Sequence, residues 1–215
     1  CYHYFIFIVI GWCLLFALVF YFNCSVHGKS RKNIISFVQT VNIETAKIDT
    51  LVKLHQHFEA PNWHPDGYLI MNSNGFIYTY DVPKKTMEVL YTGPVTECNN
   101  DHGVSPDGKW LVVSSNDRED ASLKSGKSAI FILPIEGGNP RKVTEQVPSY
   151  WHGWSPDGNT LAYCAERNGN YDIYTIDVNG GEETRLTQTE GLDDGPEYSS
   201  DGKYIYFNSY RTGHM

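Results

Sequence analysis

Basic residues are scarce in this chain: 17 lysines and arginines face 25 aspartates and glutamates, leaving a net charge of −8. A sequence-independent nucleic-acid binder needs a clustered basic surface to neutralise phosphates, so this balance argues for no nucleic-acid partner. Cysteines are few and badly spaced for a framework. They stand at 1, 13, 24, 98 and 164, and no C-x-x-C pair occurs. That spacing indicates neither a zinc site nor a redox motif, and Cys98 and Cys164 read as two buried, unpaired thiols in preference to a disulfide. Also missing are a phosphate loop, a Gly-rich dinucleotide motif and an H-E-x-x-H pair. GVSPDG and GWSPDG both lack G-x-S-x-G, which makes Ser105 and Ser155 turn residues and not nucleophiles.

Charge is absent altogether from Tyr4 to Phe22, nineteen residues. A helix rises about 1.5 Å per residue, so this run is long enough for roughly one bilayer core. A cleavable signal has a shorter apolar region and a small-x-small site, which YFNCSVHG does not offer. Residues 1–28 are therefore expected to form one hydrophobic helix, a transmembrane anchor or signal-like segment that gives the chain a membrane partner. Lys29, Arg31 and Lys32 follow it, but orientation stays open without flanking charges to compare. The chain opens on Cys and stops inside a recurring pattern, so it reads as part of a longer protein.

What the chain has in plenty is turn formers and aromatics: 19 glycines, 10 prolines and 14% aromatic residues. Together they describe an all-β protein. HPDG (64–67), SPDG (105–108), SPDG (155–158) and SSDG (199–202) place aspartates at 66, 107, 157 and 201, steps of 41, 50 and 44. Proline sets φ for the second turn position, aspartate bonds back to the backbone, and glycine takes the left-handed conformation. After each turn comes an alternating strand (YLIMNS, KWLVVSS, NTLAYCA, KYIYFNS). After the first three a second follows (GFIYTYDV, SAIFILPI, YDIYTIDV). Four-stranded units repeating every forty-odd residues are the mark of β-propeller blades. The step of 50 comes from an insertion at 116–128. Its acidic group, Asp117, Glu119 and Asp120, lacks calcium-loop spacing and reads as a solvated loop. His64 in place of serine reads as an exposed, harmless exchange, and Trp63, Trp110 and Trp154 read as packing between blades.

WSPDG (154–158), YDIYTID (171–177) and GGEETRLT (180–187) closely resemble the blade motifs of the TolB-like β-propeller repeat family. The resemblance covers residues 58–215, the expected propeller portion. It implies about three and a half four-stranded blades of a ring of six or more. Residues 29–57 alternate, with a turn near Glu44 and Thr45, and are expected to be a linker and outer strands of a closing blade.

In a propeller the innermost strand of each blade lines the central channel. The residues leading into those strands are Glu59, then Asn100, Asp101 and His102, then Trp151 and His152, then Asp193, Asp194 and Glu197. They come from four consecutive blades onto one rim and form the candidate binding surface; no catalytic residue is assigned. Two readings stay open. Rims are wet and need polar groups for strand-end backbone. Alternatively the rim takes a ligand, with His102 and His152 as weak candidates for a divalent cation and no other cofactor expected. The resemblance implies a non-enzymatic propeller binding a protein or peptide partner through its channel face, in an envelope, biopolymer-transport type of role. The propeller would then be periplasmic or otherwise extracytoplasmic. The resemblance leaves as alternatives a carbohydrate-active propeller like oligogalacturonate lyase and the regulatory propeller of a serine peptidase.

Overall fold

The computed structural model describes residues 34–116 and 127–214. The expected anchor at 1–28 and the core of the acidic insertion lie outside the described residues. Among those described, no helix is long and apolar enough to cross a membrane.

The described residues open with a hairpin, β1 (Ser36–Val41) and β2 (Ile48–Leu54). Three four-stranded antiparallel sheets follow in chain order: β3 (Glu59–Trp63), β4 (Tyr68–Ser73), β5 (Phe76–Asp81) and β6 (Thr86–Val89); β7 (Cys98–Val104), β8 (Trp110–Asn116), β9 (Ser128–Pro134) and β10 (Arg141–Lys142); β11 (Ser149–Trp154), β12 (Thr160–Arg167), β13 (Asn170–Asp177) and β14 (Thr184–Arg185). A fourth blade is represented by β15 (Asp193–Tyr198) paired with β16 (Ile205–Ser209). Each blade is a simple meander. The leading strands β3, β7, β11 and β15 touch one another in sequence, which makes them the inner strands of a propeller arc.

Alternation along the second and third strands shows why the blades stack. In β8 and β9, Leu111, Val113, Ala129, Phe131 and Leu133 join Ile70 and Ile77 of the first blade. The interleaved Val112, Ile130 and Ile132 join Leu161, Tyr163, Tyr174 and Ile176 of the third. Successive side chains leave opposite faces of a strand, so a sheet apolar at every position must be covered on both. The sequence pattern alone implies one buried face; the central blade has two. Each fully buried Leu, Ile or Val contributes about 1.5–3 kcal/mol relative to exposure, so adjacent blades supply most of one another's stability.

Turn chemistry repeats just as closely. Ser105, Ser155 and Ser199 each donate Oγ–H to the aspartate two residues on, at 2.6, 2.6 and 2.7 Å. Each Oγ also accepts the backbone N–H five residues on, from Trp110, Thr160 and Tyr204. These serine oxygens are committed to the turn.

The first blade departs from this scheme, and His64 is not an exposed exchange. Its turn closes one residue earlier, with His64 N–H bonded to Tyr68 O. A serine-style bond five residues on is therefore out of register. His64 is 4% exposed, stacks on Tyr68 at 4.3 Å, and takes the Asp66 N–H on Nδ1 at 3.1 Å. Its Nε2 lies 2.9 Å from Gly108 O in the next blade's turn. With Nδ1 accepting, Nε2 carries the proton and donates across the blade boundary.

The tryptophans also divide. Trp154 is half-buried and donates Nε1–H to Gly103 O of the preceding blade at 3.3 Å, as packing between blades requires. Trp63 and Trp110 are 55% and 44% exposed and do not pack that way. Trp63 matches Trp154 in ladder position, but among the described residues no blade precedes it to receive the indole. Trp110 opens β8 beside the turn, where its ring stays outside. The β1–β2 hairpin pairs with no other described strand, and its Val38 packs against Leu69, Met71 and Tyr80 of the first blade. Cys98 and Cys164 are free and buried.

Candidate functional site at the leading ends of the inner strands

Every inner strand carries a β-bulge, and every bulge falls among the residues singled out above. Glu59 pairs with Asn72 and Asn62 with Ile70, so Ala60 and Pro61 stand opposite Met71 alone. Cys98 pairs with Ser115 and His102 with Val113, so Asn99, Asn100 and Asp101 stand opposite Ser114 alone. In β11 the shift lies between Trp151 and Gly153 and leaves His152 extra. In β15 it lies between Asp194 and Glu197. A bulge kinks the strand and re-aims side chains that a regular ladder would hold flat. Here each of four neighbouring inner strands is interrupted in this way.

The bulges separate two histidines that align one for one in sequence. His102 and His152 both precede glycine and the blade turn, yet His102 is a paired ladder residue and His152 is the extra one. His102 is 3% exposed, its ring enclosed by the backbone of Ile70, Asn99 and Ala60. Burial pulls its pKa down to about 4, so the ring is neutral near pH 7. His152 is half-buried with Nε2 3.2 Å from Asp194 Oδ1 in the fourth blade. The two rings face different neighbours and do not converge on one ion. Among the described residues, no group of three or more His, Cys, Asp or Glu is placed to hold a metal.

Two further expected rim residues, besides His102, prove internal. Trp151 takes the ladder place of His102 one blade on, opposite Tyr163. It is buried in the core between the second and third blades, its ring over Gly103. The backbone N–H of Trp151 donates to Ser114 Oγ at 2.8 Å. Asp193 is 1% exposed and paired with Arg211 at 3.0 Å, and its carbonyl accepts the Cys164 thiol at 3.1 Å. Both are fixed by the core and are not offered to a ligand.

The remaining six do gather. Asn100 is exposed at the crown of its bulge. Asp101, whose N–H is held by Asn99 Oδ1 at 2.9 Å, has its pKa raised. Burial is the main cause; Asp194 and Glu59 add to it, and His152 opposes it. Glu197 is also raised by burial, again with His152 opposing. Asp194 is lowered, first by its bond to His152 and further by the Gly195 N–H. Glu59 stands 3.7 Å from His57 Nε2. Asp101 therefore feels Asp194 and Glu59, while Glu197 is linked to this group only through His152; among the described residues no lysine or arginine forms an ion pair with any of the four.

Two features escape a reading of the sequence. Tyr150 is half-buried, and burial, with Asp101 adding to it, raises its hydroxyl above the usual tyrosine range. Arg167 is buried with every nitrogen engaged, to Glu183, to Ser149 Oγ and to the carbonyls of Gln146, Pro148 and Glu166. Tyr163 also donates to Glu183, at 2.8 Å. This network borders a cleft of about 460 Å³ lined by Gln146, Asn168 and Arg185 among others. Its cation is spent on the fold. The available signal was the repeat itself, since Arg211 occupies the corresponding place in the fourth blade and grips Asp193.

Meandering four-stranded blades, inner strands in contact and a polar rim at their leading ends define a β-propeller segment. Residues 121–215 match the family model described as the TolB beta propeller domain. An uncharacterized protein of Agrobacterium fabrum is 49% identical over 182 residues, 84% of this chain and 60% of that protein. The solved structure of a candidate TolB from Agrobacterium tumefaciens is 48% identical with a TM-score of 0.76, covering 84% of this chain and 65% of that one. The Tol-Pal system protein TolB of Francisella tularensis is 32% identical over 78 residues, 35% of this chain and 18% of that protein. The chain is thus similar to TolB-like β-propeller proteins. It spans less than two thirds of the length of these relatives.

Proposed function

We propose that this chain is the propeller part of a non-enzymatic binding protein that docks a protein or peptide partner at its channel mouth. One observation carries the reading: all four inner strands interrupt their ladders, and polar side chains gather around those interruptions. Regularity would be the more stable choice for a scaffold alone, so four such interruptions favour a surface shaped for contact. The likeness to a protein named for the Tol-Pal system supports an envelope role of the biopolymer-transport type and an extracytoplasmic position. Membrane attachment through residues 1–28 belongs to the same proposal.

The test is a photo-cross-linking residue at Asn100 in the full protein, in its own cells, with Glu88 on the outer strand β6 as control. A discrete protein adduct at position 100 is expected. It should be absent at position 88 and lost when Asp101 and Asp194 are changed to lysine. Equal adducts at both positions, or an adduct indifferent to those changes, would refute docking at the rim.

A further inference from the structure

We infer that His152 is a pH-operated clasp between the third and fourth blades, joining them at the channel mouth through Asp194 while its ring is charged and releasing Asp194 when the ring is neutral. The clasp concerns how the mouth is held together and does not depend on what docks there.

The repeat shows where such a contact is needed. At the boundary between the second and third blades the ring of Trp151 fills the space over Gly103 and joins the apolar core. Trp151 stands opposite Tyr163 in its ladder; in the fourth blade the corresponding place, opposite Phe207, falls to Gly195 and Pro196. No indole spans the next boundary. The inner strands close up instead, so that a Cβ on Gly153 would stand 2.8 Å from Pro196 O and 3.4 Å from Glu197 Oε2. In the indole's place this boundary has a polar contact, His152 Nε2 to Asp194 Oδ1 at 3.2 Å. Both members belong to bulges. His152 is the extra residue of β11, and Asp194 is the last paired residue before the break in β15. The Gly195 N–H donates to Asp194 Oδ1 at 2.8 Å and holds the carboxylate in place.

Charge sets the strength of the contact. The titratable groups acting with His152 are Asp194 and Glu197 of β15 and Asp101 of β7. Beside Asp194 lies the Cys164 thiol of β12, which burial keeps protonated. Arg211 is taken by Asp193. A charged imidazole therefore compensates carboxylates from two blades, and a neutral one leaves them to repel each other. His64 supplies the contrast. It too bridges two blades, but its Nε2 lies 2.9 Å from a carbonyl, Gly108 O, and a neutral ring makes that bond in full. Histidine is the side chain that ordinarily changes charge between about pH 5 and 8, and the His152 side chain is 23% exposed, open to protons from solvent. On the acid side the clasp is bounded by Asp194, whose carboxyl is held below its ordinary range first by the bond to His152. The contact thus stabilises above the titration of Asp194 and is lost as pH rises through that of the imidazole.

The experiment is a double-mutant cycle on the full chain, with His152→Gln, Asp194→Asn and the double variant unfolded in urea at about pH 5.5 and about pH 8.5. At the lower pH the two residues should couple by about two- to fivefold in the unfolding equilibrium constant, as a partly exposed ion pair does, and at the higher pH the coupling should vanish. Hydrogen exchange of residues 193–198 gives a second reading, with wild type and His152→Gln compared at one pH at a time. Wild type should be the better protected at the lower pH and no better at the higher. Coupling of equal size at both pH values would mean a neutral hydrogen bond and would overturn the switch. No coupling at either would overturn the clasp itself. Should His152→Gln unfold, Asp194→Asn alone decides. It should be less stable than wild type at the lower pH and as stable or more so at the higher, where it removes a charge from a crowded group; a deficit unchanged between the two would refute the inference.

Discussion

Replacing Gly103 with alanine tests the contact between the second and third blades at its tightest point. Gly103 is not in a left-handed conformation, so any cost is steric. A Cβ built there stands 2.1 Å from Trp151 Cη2 and 2.6 Å from Cζ3, where carbon atoms normally rest about 3.5–4.0 Å apart. The indole cannot swing away freely: it is 7% exposed, and its backbone N–H is tied to Ser114. Overpacking of this kind costs about 1–3 kcal/mol, and the stiffer unfolded chain returns about 0.4–1 kcal/mol. A net loss of about 1–2 kcal/mol corresponds to a fall in Tm of about 2–8 °C for a chain of this size. Thermal and urea unfolding of Gly103→Ala, Trp151→Phe and the double variant measure it. The shorter phenyl ring leaves room for the new methyl, so the double variant should recover at least about 1 kcal/mol of the summed single losses. If the two changes add within about 0.5 kcal/mol, Trp151 does not stand over Gly103 and the reasoning fails.

Glu183→Gln should destabilise by about 3–5 kcal/mol by leaving Arg167 buried and unpaired, whereas Arg167→Met/Glu183→Leu should recover most of that in urea unfolding. Burial alone would raise Glu183, but the bonds from Arg167 and Tyr163 hold its pKa below the ordinary value. Its contribution is therefore present above the unfolded glutamate range and lost as pH falls through the lower folded value. Asp101→Asn should act in the opposite sense. A carboxylate with a raised folded pKa costs stability wherever it is ionised, so the variant should melt higher than wild type at pH 7. That advantage should vanish below about pH 4, where aspartate is protonated even when unfolded; a variant that melts lower at pH 7 would contradict it. His64→Ser should lose about 1–2 kcal/mol despite restoring the residue used by the other blades, and long-range ¹⁵N NMR of wild type should report the proton on Nε2.

The propeller was legible because its signals agree at several levels. SPDG turns, two alternating strands and a forty-odd residue period all specify the same unit, and each serine hydroxyl is where turn chemistry puts it. The rim was only half legible. Which residues lead into the inner strands followed from the repeat, but a bulge is one or two unpaired residues with no letter code. His102-Gly103 and His152-Gly153 read alike and end differently because the extra residues fall before His102 in one blade and on His152 in the next. Trp151 and Asp193 show the same limit from the other side. Polar or aromatic residues in the right segment, they are turned inward by the ladder register and, for Asp193, by an arginine eighteen residues further on. His64 misled for a local reason, since a turn shortened by one residue changes what its side chain can reach.

The bulges have a bearing on how such a protein can change. After His102 the ladder of the second blade resumes its register with β8, although three residues stand between Cys98 and His102 where the third blade has only Tyr150 between Ser149 and Trp151. Residues gained or lost at these points alter the mouth of the channel while the outer strands keep their partners. Insertions and deletions, usually ruinous inside a sheet, become a means by which one scaffold can vary the shape of its receptor without rebuilding its walls.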